Sequence, residues 1–488
     1  MKKLFLAFVL LLSAVGLFAK TTVLYHTSDT HGFFYPRNGQ GGFAALASVL
    51  KNGPKHYLLL DSGDFANGTA EAKTSKGLKS VALMNALGYH ATTIGNHEFD
   101  FKDLGVEPIL KNIKFSVLAA NFFERKTGKY PPLVKPYQIF DVDGVRVAVI
   151  GLANRYPTNE AKSYKFGKPL AALEKALKEV EKQKVNAVVV IVHDGLNDTK
   201  HGTLAYVGQI GQKFGGRVNV VLGGHVHAIV QNQNINGTLF VESGCYIQNV
   251  SKVTLETDDK TGKFISAHSE LIPLVLEKVG EDEKIKAYAE SLKEPGMDEV
   301  FGEAAEKISR FSPVKEHKDG PLNDWIADLG RAAAGTQIFV HNNGGTRVDM
   351  QKGPVTRRDT TDIHPFDNGI VTMTVDGRFL KYLVKKSLLP RSLFTYSGMS
   401  ITYRNKKGKI KDLQILVDGK PVENHKKYTL ASNAYIAYGG SEGWPFKRIK
   451  EEDKKLLEGL TIRSVLENGL KTQSPVKALP TGRIVEFK

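Results

Sequence analysis

The chain repeats one local pattern six times. A short run of β-branched and apolar residues stops abruptly in a polar cluster: TTVLYHTSDTHG (21–32), HYLLLDSGDF (56–65), HATTIGNHEFD (90–100), VRVAVIGLAN (145–154), VNAVVVIVHDG (185–195) and VNVVLGGHVH (218–227). Runs such as VNAVVVIV have no polar face, so they read as strands covered on both sides. Helical periodicity lies between several of them, as in GFAALASVLKN (42–52) and LAALEKALKEVEKQ (170–183). Strands alternating with helices predict a largely parallel, layered α/β sheet. Ligands of such sheets sit outside the carboxyl ends of the strands. The histidines and carboxylates of this chain fall at those ends.

At 488 residues the chain exceeds one ordinary core. Antiparallel strands are expected near 238–273 to close the first sheet. The charged helical stretch VLEKVGEDEKIKAYAESLKEPG (275–296) then leads to a second α/β pattern. The expected organisation is residues 1–19, a catalytic domain over 20–274, a helical linker over 275–300 and a smaller C-terminal α/β domain over 301–488. The start, MKKLFLAFVLLLSAVGLFAK, has the basic, apolar and small-residue regions of a secretory signal peptide. Its apolar run is shorter than the ~20 residues of a membrane span, so a periplasmic or secreted protein without stable membrane insertion is expected. The single cysteine, Cys245, permits no internal disulfide. The formal charge of +16 favours anionic ligands. Its lysines are scattered without an arginine-rich block, so no nucleic-acid-binding domain is expected.

The polar clusters supply metal-ligating groups. Asp29 and His31 are two residues apart, as are His225 and His227; in extended segments such pairs face one side. Asp64, Asn96 with His97, and His193 follow three further strands. Five strand ends thus deliver carboxylate, imidazole and carboxamide groups to one edge of one sheet. This donor mixture suits Zn, Mn, Co or Fe rather than calcium. It exceeds the needs of one ion, and two ions sharing a carboxylate account for the surplus. Two-metal sites of this kind serve phosphoryl transfer to water.

The motifs SDTHG, SGDF, GNHEFD, VHDG and GGHVH, in that order, resemble those of the calcineurin-like metallophosphoesterases. More narrowly, the chain resembles the periplasmic bifunctional 5′-nucleotidase family, with its UDP-sugar hydrolases and 2′,3′-cyclic-nucleotide phosphodiesterases. The resemblance implies a four-layer metallophosphoesterase β-sandwich flanked by helices, followed by a 5′-nucleotidase C-terminal domain. It assigns one metal to Asp29, His31, Asp64 and His227, and a second to Asp64, Asn96, His193 and His225, with Asp64 bridging. His97 is then a catalytic group that stabilises charge on the phosphate. Asp100, three residues on, orients its imidazole and keeps it protonated. Glu98 reads as the N-terminal cap of a helical turn.

In the second domain, NNGGTR (342–347) resembles the family's anion-binding loop and offers Arg347. HPFDN (364–368) resembles a base-stacking segment, with Phe366 as the aromatic and Asn368 as a hydrogen-bonding partner. NAYIAYGGSEGWP (433–445) resembles the loop of the second stacking aromatic, Tyr435. The expected protein is a monomeric hydrolase of small nucleotides that requires two divalent ions (Zn, Mn or Co). 5′-Nucleotidase activity is preferred over cyclic-nucleotide phosphodiesterase or UDP-sugar hydrolase activity. A catalytically dead nucleotide-binding surface protein and a thiosulfate-type hydrolase are the competing readings.

Overall fold

The computed structural model describes residues 19–153, 162–196, 206–388 and 394–487. The expected signal peptide lies outside these residues, apart from Ala19. Contacts divide the chain into two compact units, Met1–Ala66 with Lys76–Ser291, and Asn67–Ser75 with Leu292–Lys488.

The first unit holds two large sheets, as the sandwich implied by the resemblance requires, and a small two-stranded one of Phe122–Glu124 and Tyr164–Phe166. Ala19–Thr27, Leu58–Asp61, Ala91–Thr92, Ser116–Leu118 and Val134–Lys135 run parallel, and Asn249–Asp258 and Phe264–Pro273 add an antiparallel edge. The second sheet has Val145–Leu152, Ala187–Val192, Val220–Gly223 and Thr238–Ser243 as parallel centre, with Tyr137–Val142 and Ile229–Ile235 as antiparallel edges.

Side-chain alternation explains the stacking. Ala187, Val189 and Ile191 face Leu24, Leu60 and Val253 of the other sheet. Val188, Val190 and Val192 face the opposite way, onto Leu173, Leu177, Ile210 and Phe214 of the helices Pro169–Val180 and Tyr206–Phe214. On the first sheet's outer face, Val106 and Leu110 of the helix Asp103–Asn112 pack with Val117. The result is helix, sheet, sheet, helix. A strand apolar on both faces is satisfied equally by a helix or by a second sheet, which is why the pattern leaves the number of sheets open. Each buried valine or leucine contributes ~1.5–3 kcal/mol against exposure. Among the described residues no helix is long and apolar enough to cross a membrane.

The second unit is built on a five-stranded sheet in the order Phe394–Ser397, Ile338–Asn342, Lys427–Asn433, Gly369–Asp376, Lys455–Thr461. One face carries Phe339 and Ile370 against the helices Pro321–Ala334 and Ile462–Gln473. The other carries Ile338, Val340 and Val371 against the helix Gly377–Ser387. Residues 67–75 join this unit through a buried ion pair between Glu71 and Arg358 and through Lys73, 3.6 Å from Asp367.

An acidic knot fastens the C-terminal strand of this unit. Arg483 grips both oxygens of Asp328 at 2.7 Å, and Asp319 accepts the backbone N–H groups of Gly482, Arg483 and Ile484. Asp324, fully buried beside them, has its carboxyl pushed up to about 9 by burial. The folded state then keeps a proton that the unfolded chain releases near pH 4. The stability this group contributes is complete below that pH and is lost as pH rises towards 9. The stability of the wild type against thermal unfolding should therefore fall by ~1–3 kcal/mol between about pH 6 and 8 through this group, and Asp324→Asn should flatten that decline.

Candidate active site

The carboxyl ends of both sheets open onto one cluster. The first sheet supplies Asp29 and His31 after Ala19–Thr27, Asp64 after Leu58–Asp61, and Asn96 and His97 after Ala91–Thr92. The second supplies His193 after Ala187–Val192, and His225 and His227 after Val220–Gly223. His193 Nε2 lies 3.0 Å from Asp64 Oδ2, and His227 Nε2 lies 3.5 Å from Asp29 Oδ1. His31 Nε2 approaches His227 Nε2 to 3.2 Å. Asp29, His31 and His227 form one potential metal triad; Asp64, His193 and His225 form another. His31, Asp64 and His97 also meet that geometry.

These side chains do not converge by strand alternation, as their two-residue spacing had implied. Asp29, His31, Asp64, His225 and His227 all lie beyond the strand ends, with φ between 49° and 72°. A left-handed backbone is costly for residues with a Cβ and concentrates at functional sites. Here paired left-handed turns fold each D-x-H or H-x-H segment back on itself, so both side chains point inward. Backbone bonds hold the turns, with Asp29 N–H donating to Gly63 O at 3.0 Å and His31 N–H to Asp64 O at 2.9 Å. A Cβ on Gly95 would collide with Asp64 Oδ1, and one on Gly224 with Ser28 Oγ.

Glu98 performs more than the expected cap. Its buried carboxylate accepts four backbone N–H groups, from Asp64 (3.0 Å), Phe65 (2.8 Å), Ala66 (3.1 Å) and Gly95 (2.7 Å). Only the last is a local capping bond; three reach across to the Asp64 loop. One carboxylate thus binds the loop of Asp64 to the loop of Asn96. Sequence spacing could not reveal this, because the partners are backbone groups some 30 residues away in the chain.

The charges are arranged for cations. Burial opposes ionisation of Asp29 and Asp64, yet the neighbouring imidazoles hold both below the ordinary carboxylate range. Burial would also lower His193, but Asp64 overrides it and raises the imidazole to about 10. His193 Nδ1 donates to Ser62 O at 2.6 Å, which fixes the ring and turns Nε2 towards Asp64. Asn96 Oδ1 is buried, and among the described residues it has no hydrogen-bond donor. A buried carboxamide oxygen without a donor, on the residue next to His97, is a group able to ligate a divalent ion. His97 differs from the rest. Its Nδ1 is bound to Asp100 Oδ2 at 2.6 Å, its backbone N–H donates to Asp64 Oδ1 at 2.8 Å, and Nε2 stands 4.0 Å from Asp64 Oδ2.

Residues 22–228 match the calcineurin-like phosphoesterase family, and residues 300–450 match the 5′-nucleotidase C-terminal domain. The chain is a calcineurin-like phosphoesterase with a 5′-nucleotidase C-terminal domain. It is similar to a 5′-nucleotidase of Vibrio cholerae, 26% identical over 530 residues, covering 96% of this chain and 93% of that protein. It is also similar to the endonuclease YhcR of Bacillus subtilis, 27% identical over 420 residues, covering 81% of this chain; the chain spans only 34% of that relative's length. The crystal structure of a 5′-nucleotidase precursor from Thermus thermophilus superposes with a TM-score of 0.84 at 25% identity, covering 96% of this chain and all of that one. The protein is therefore a metal-dependent phosphoester hydrolase.

The phosphoesterase's second unit gathers its candidate substrate groups at one sheet edge. Asn342 ends one strand and Asn433 the parallel strand beside it; Asn433 Nδ2 donates to Asn342 Oδ1 at 2.6 Å. The 343–345 turn and Arg347 follow the first, Tyr435 follows the second, and Phe366 and Asn368 precede Gly369–Asp376. Arg347 Cζ lies 5.7 Å from the centroid of the half-buried Phe366 ring. His364, fully buried, meets that ring edge-on at 6.1 Å, and burial holds its imidazole neutral. Tyr435 is 40% exposed.

Two substitutions separate support from chemistry. Glu98→Gln places an NH₂ group against two of the four N–H donors. It should cost ~1–3 kcal/mol of stability and weaken metal retention ~10–100-fold, read by unfolding and by elemental analysis after dialysis. His97→Ala should keep the full metal content and lose ~10²–10³ in kcat, the scale of one charge-stabilising donor. Asp100→Asn should lose less, because it acts only through His97.

Proposed function

We propose that this phosphoesterase is an exported nucleotide phosphohydrolase that releases nucleoside and phosphate from 5′-nucleotides. The convergence of Asp29, His31, Asp64, Asn96, His193, His225 and His227 on one edge carries the hydrolytic reading. The base-recognition reading rests on Arg347, Phe366, Asn368 and Tyr435 and on the similarity to proteins named 5′-nucleotidase. Export is inferred from the first nineteen residues.

Asp29, His31, Asp64 and His227 would hold one divalent ion, and Asp64, Asn96, His193 and His225 the other. Two such ions supply Lewis-acid stabilisation of phosphate charge and a nucleophile drawn from water at neutral pH. This chain's own residues do the rest. Asp64 sets the spacing of the two sites, and Glu98 fixes Asp64. His193 is orientated by the Ser62 carbonyl. His97, with Nδ1 committed to Asp100, presents Nε2 to charge developing on the phosphoryl oxygens. Arg347 offers a guanidinium for anionic groups of the substrate, and the rings of Phe366 and Tyr435 offer faces for a base.

Purified protein assayed with Zn, Mn or Co against AMP, UDP-glucose and 2′,3′-cyclic AMP tests this reading. Phosphate release should be greatest from AMP and should vanish with a chelator. Faster turnover of the cyclic ester or of the sugar nucleotide would move the protein to those branches, and no turnover of any would leave a binding protein. Phe366→Ala and Tyr435→Ala should each lose ~1–3 kcal/mol in kcat/KM on AMP. Hydrolysis of p-nitrophenyl phosphate, which has no base, should be nearly unchanged. Equal losses on both substrates would make the two aromatics structural.

A further inference from the structure

An aromatic and basic face lies on the second unit, apart from the groups assigned above. The helix Gly377–Ser387 carries Tyr382 and Lys386, one turn apart. The 3₁₀ segment Ser441–Arg448 carries Trp444 and Arg448 at the same spacing. The two elements pack so that the Tyr382 and Trp444 rings meet edge to face, with centroids 6.1 Å apart at 88°. Arg448 Cζ lies 3.8 Å from the Tyr382 centroid. Lys386 Nζ sits 5.8 Å and 5.9 Å from the two rings.

Ordinary packing does not account for this arrangement. The chain has two tryptophans. Trp325 is buried, and its Nε1 donates to Gln473 Oε1 at 2.8 Å. Trp444 is 47% exposed. The nearby cations Arg378 and Lys450 pair with Asp376 and Glu452, whereas among the described residues neither Lys386 nor Arg448 has a carboxylate partner. Among the described residues, two cations are thus assembled beside a half-buried and an exposed ring without a carboxylate paired to either.

We propose that the face formed by Tyr382, Lys386, Trp444 and Arg448 binds single-stranded nucleic acid, with a base stacked on Trp444 and phosphates on Lys386 and Arg448. Uncompensated cations beside aromatic faces match a ligand in which flat rings alternate with negative charges. A lipid surface fits less well. Between residues 377 and 448 the exposed large apolar side chains among the described residues are Tyr435, Tyr438 and Trp444, with no aliphatic wedge to enter a bilayer. This proposal concerns binding and stands independently of the hydrolytic reading.

The test uses the full chain and a phosphorothioate-linked oligothymidylate of about twelve nucleotides without terminal phosphate, which resists hydrolysis. Anisotropy of the labelled oligonucleotide should show saturable binding that weakens with salt, log K falling against log salt with a slope of about −0.7 per phosphate contacted. The unlabelled oligonucleotide should quench the exposed Trp444 emission. Lys386→Glu with Arg448→Glu should lower affinity at least ~10-fold while p-nitrophenyl phosphate hydrolysis is unchanged. Unaltered affinity in that double variant would overturn the proposal. So would an absence of binding, or a Trp444 response to phosphatidylserine vesicles but not to the oligonucleotide. Because binding and hydrolysis are read separately, failure here leaves the nucleotidase reading standing, and the reverse holds as well.

Discussion

Four backbone N–H groups converging on the carboxylate of Glu98 hold the metal-binding edge together. A carboxylate with four donors is satisfied although buried, whereas any of those donors left alone would carry a desolvation cost. The bonds fix a strained left-handed residue, Asp64, against the loop that delivers Asn96 and His97. The site's remaining groups are placed relative to Asp64. His193 faces one of its oxygens, the His97 amide is tied to the other, and the His31 amide is tied to its carbonyl. The geometry of the cluster is therefore set in large part by hydrogen bonds among the protein's own groups.

Behind that edge, the sheets supply rigidity rather than chemistry. Strand residues alternate between the inter-sheet core and the outer helices, so the strand ends cannot shift without disturbing two packed layers. The buried His26 links them, bonded to Ser243 of one sheet and to Ser62 at the end of a strand of the other. Burial pushes its imidazole down to about 3, so it serves as a neutral polar pin. Ser62 in turn accepts from His193. A path of hydrogen bonds thus runs from the inter-sheet core to a candidate metal ligand.

Much of this is legible in the sequence, because the strand-end pattern is local. Seven candidate ligands follow five runs, and the fold brings six of them together in two triads. What escaped has a common physical origin in contacts between distant segments. Ala187–Val192 shows that both its faces are covered, but not that a second sheet covers one of them. D-x-H and H-x-H give the right residues for the wrong conformational reason, since spacing does not distinguish an extended pair from two left-handed turns. Glu98 looks like a cap because its long-range partners are backbone groups with no side-chain signature. Trp444 and Tyr382 are 62 positions apart, and nothing in either stretch announces the other.

The ion pair between Glu71 and Arg358 has a consequence for how the gene is divided. The second unit is not a contiguous stretch of chain, because Asn67–Ser75 contributes to it from far upstream. A fragment starting at Leu292 would leave Arg358 without its buried carboxylate and Glu294 without the Glu71 oxygen that accepts its N–H. The helical stretch near 280 looks like a natural place to cut, yet cutting there separates a domain from part of itself. A chimaera that exchanges this unit between relatives would have to carry two pieces of sequence. The smaller piece begins only three residues after Asp64, so the chain passes from a candidate metal ligand into the second unit within a single turn of sequence.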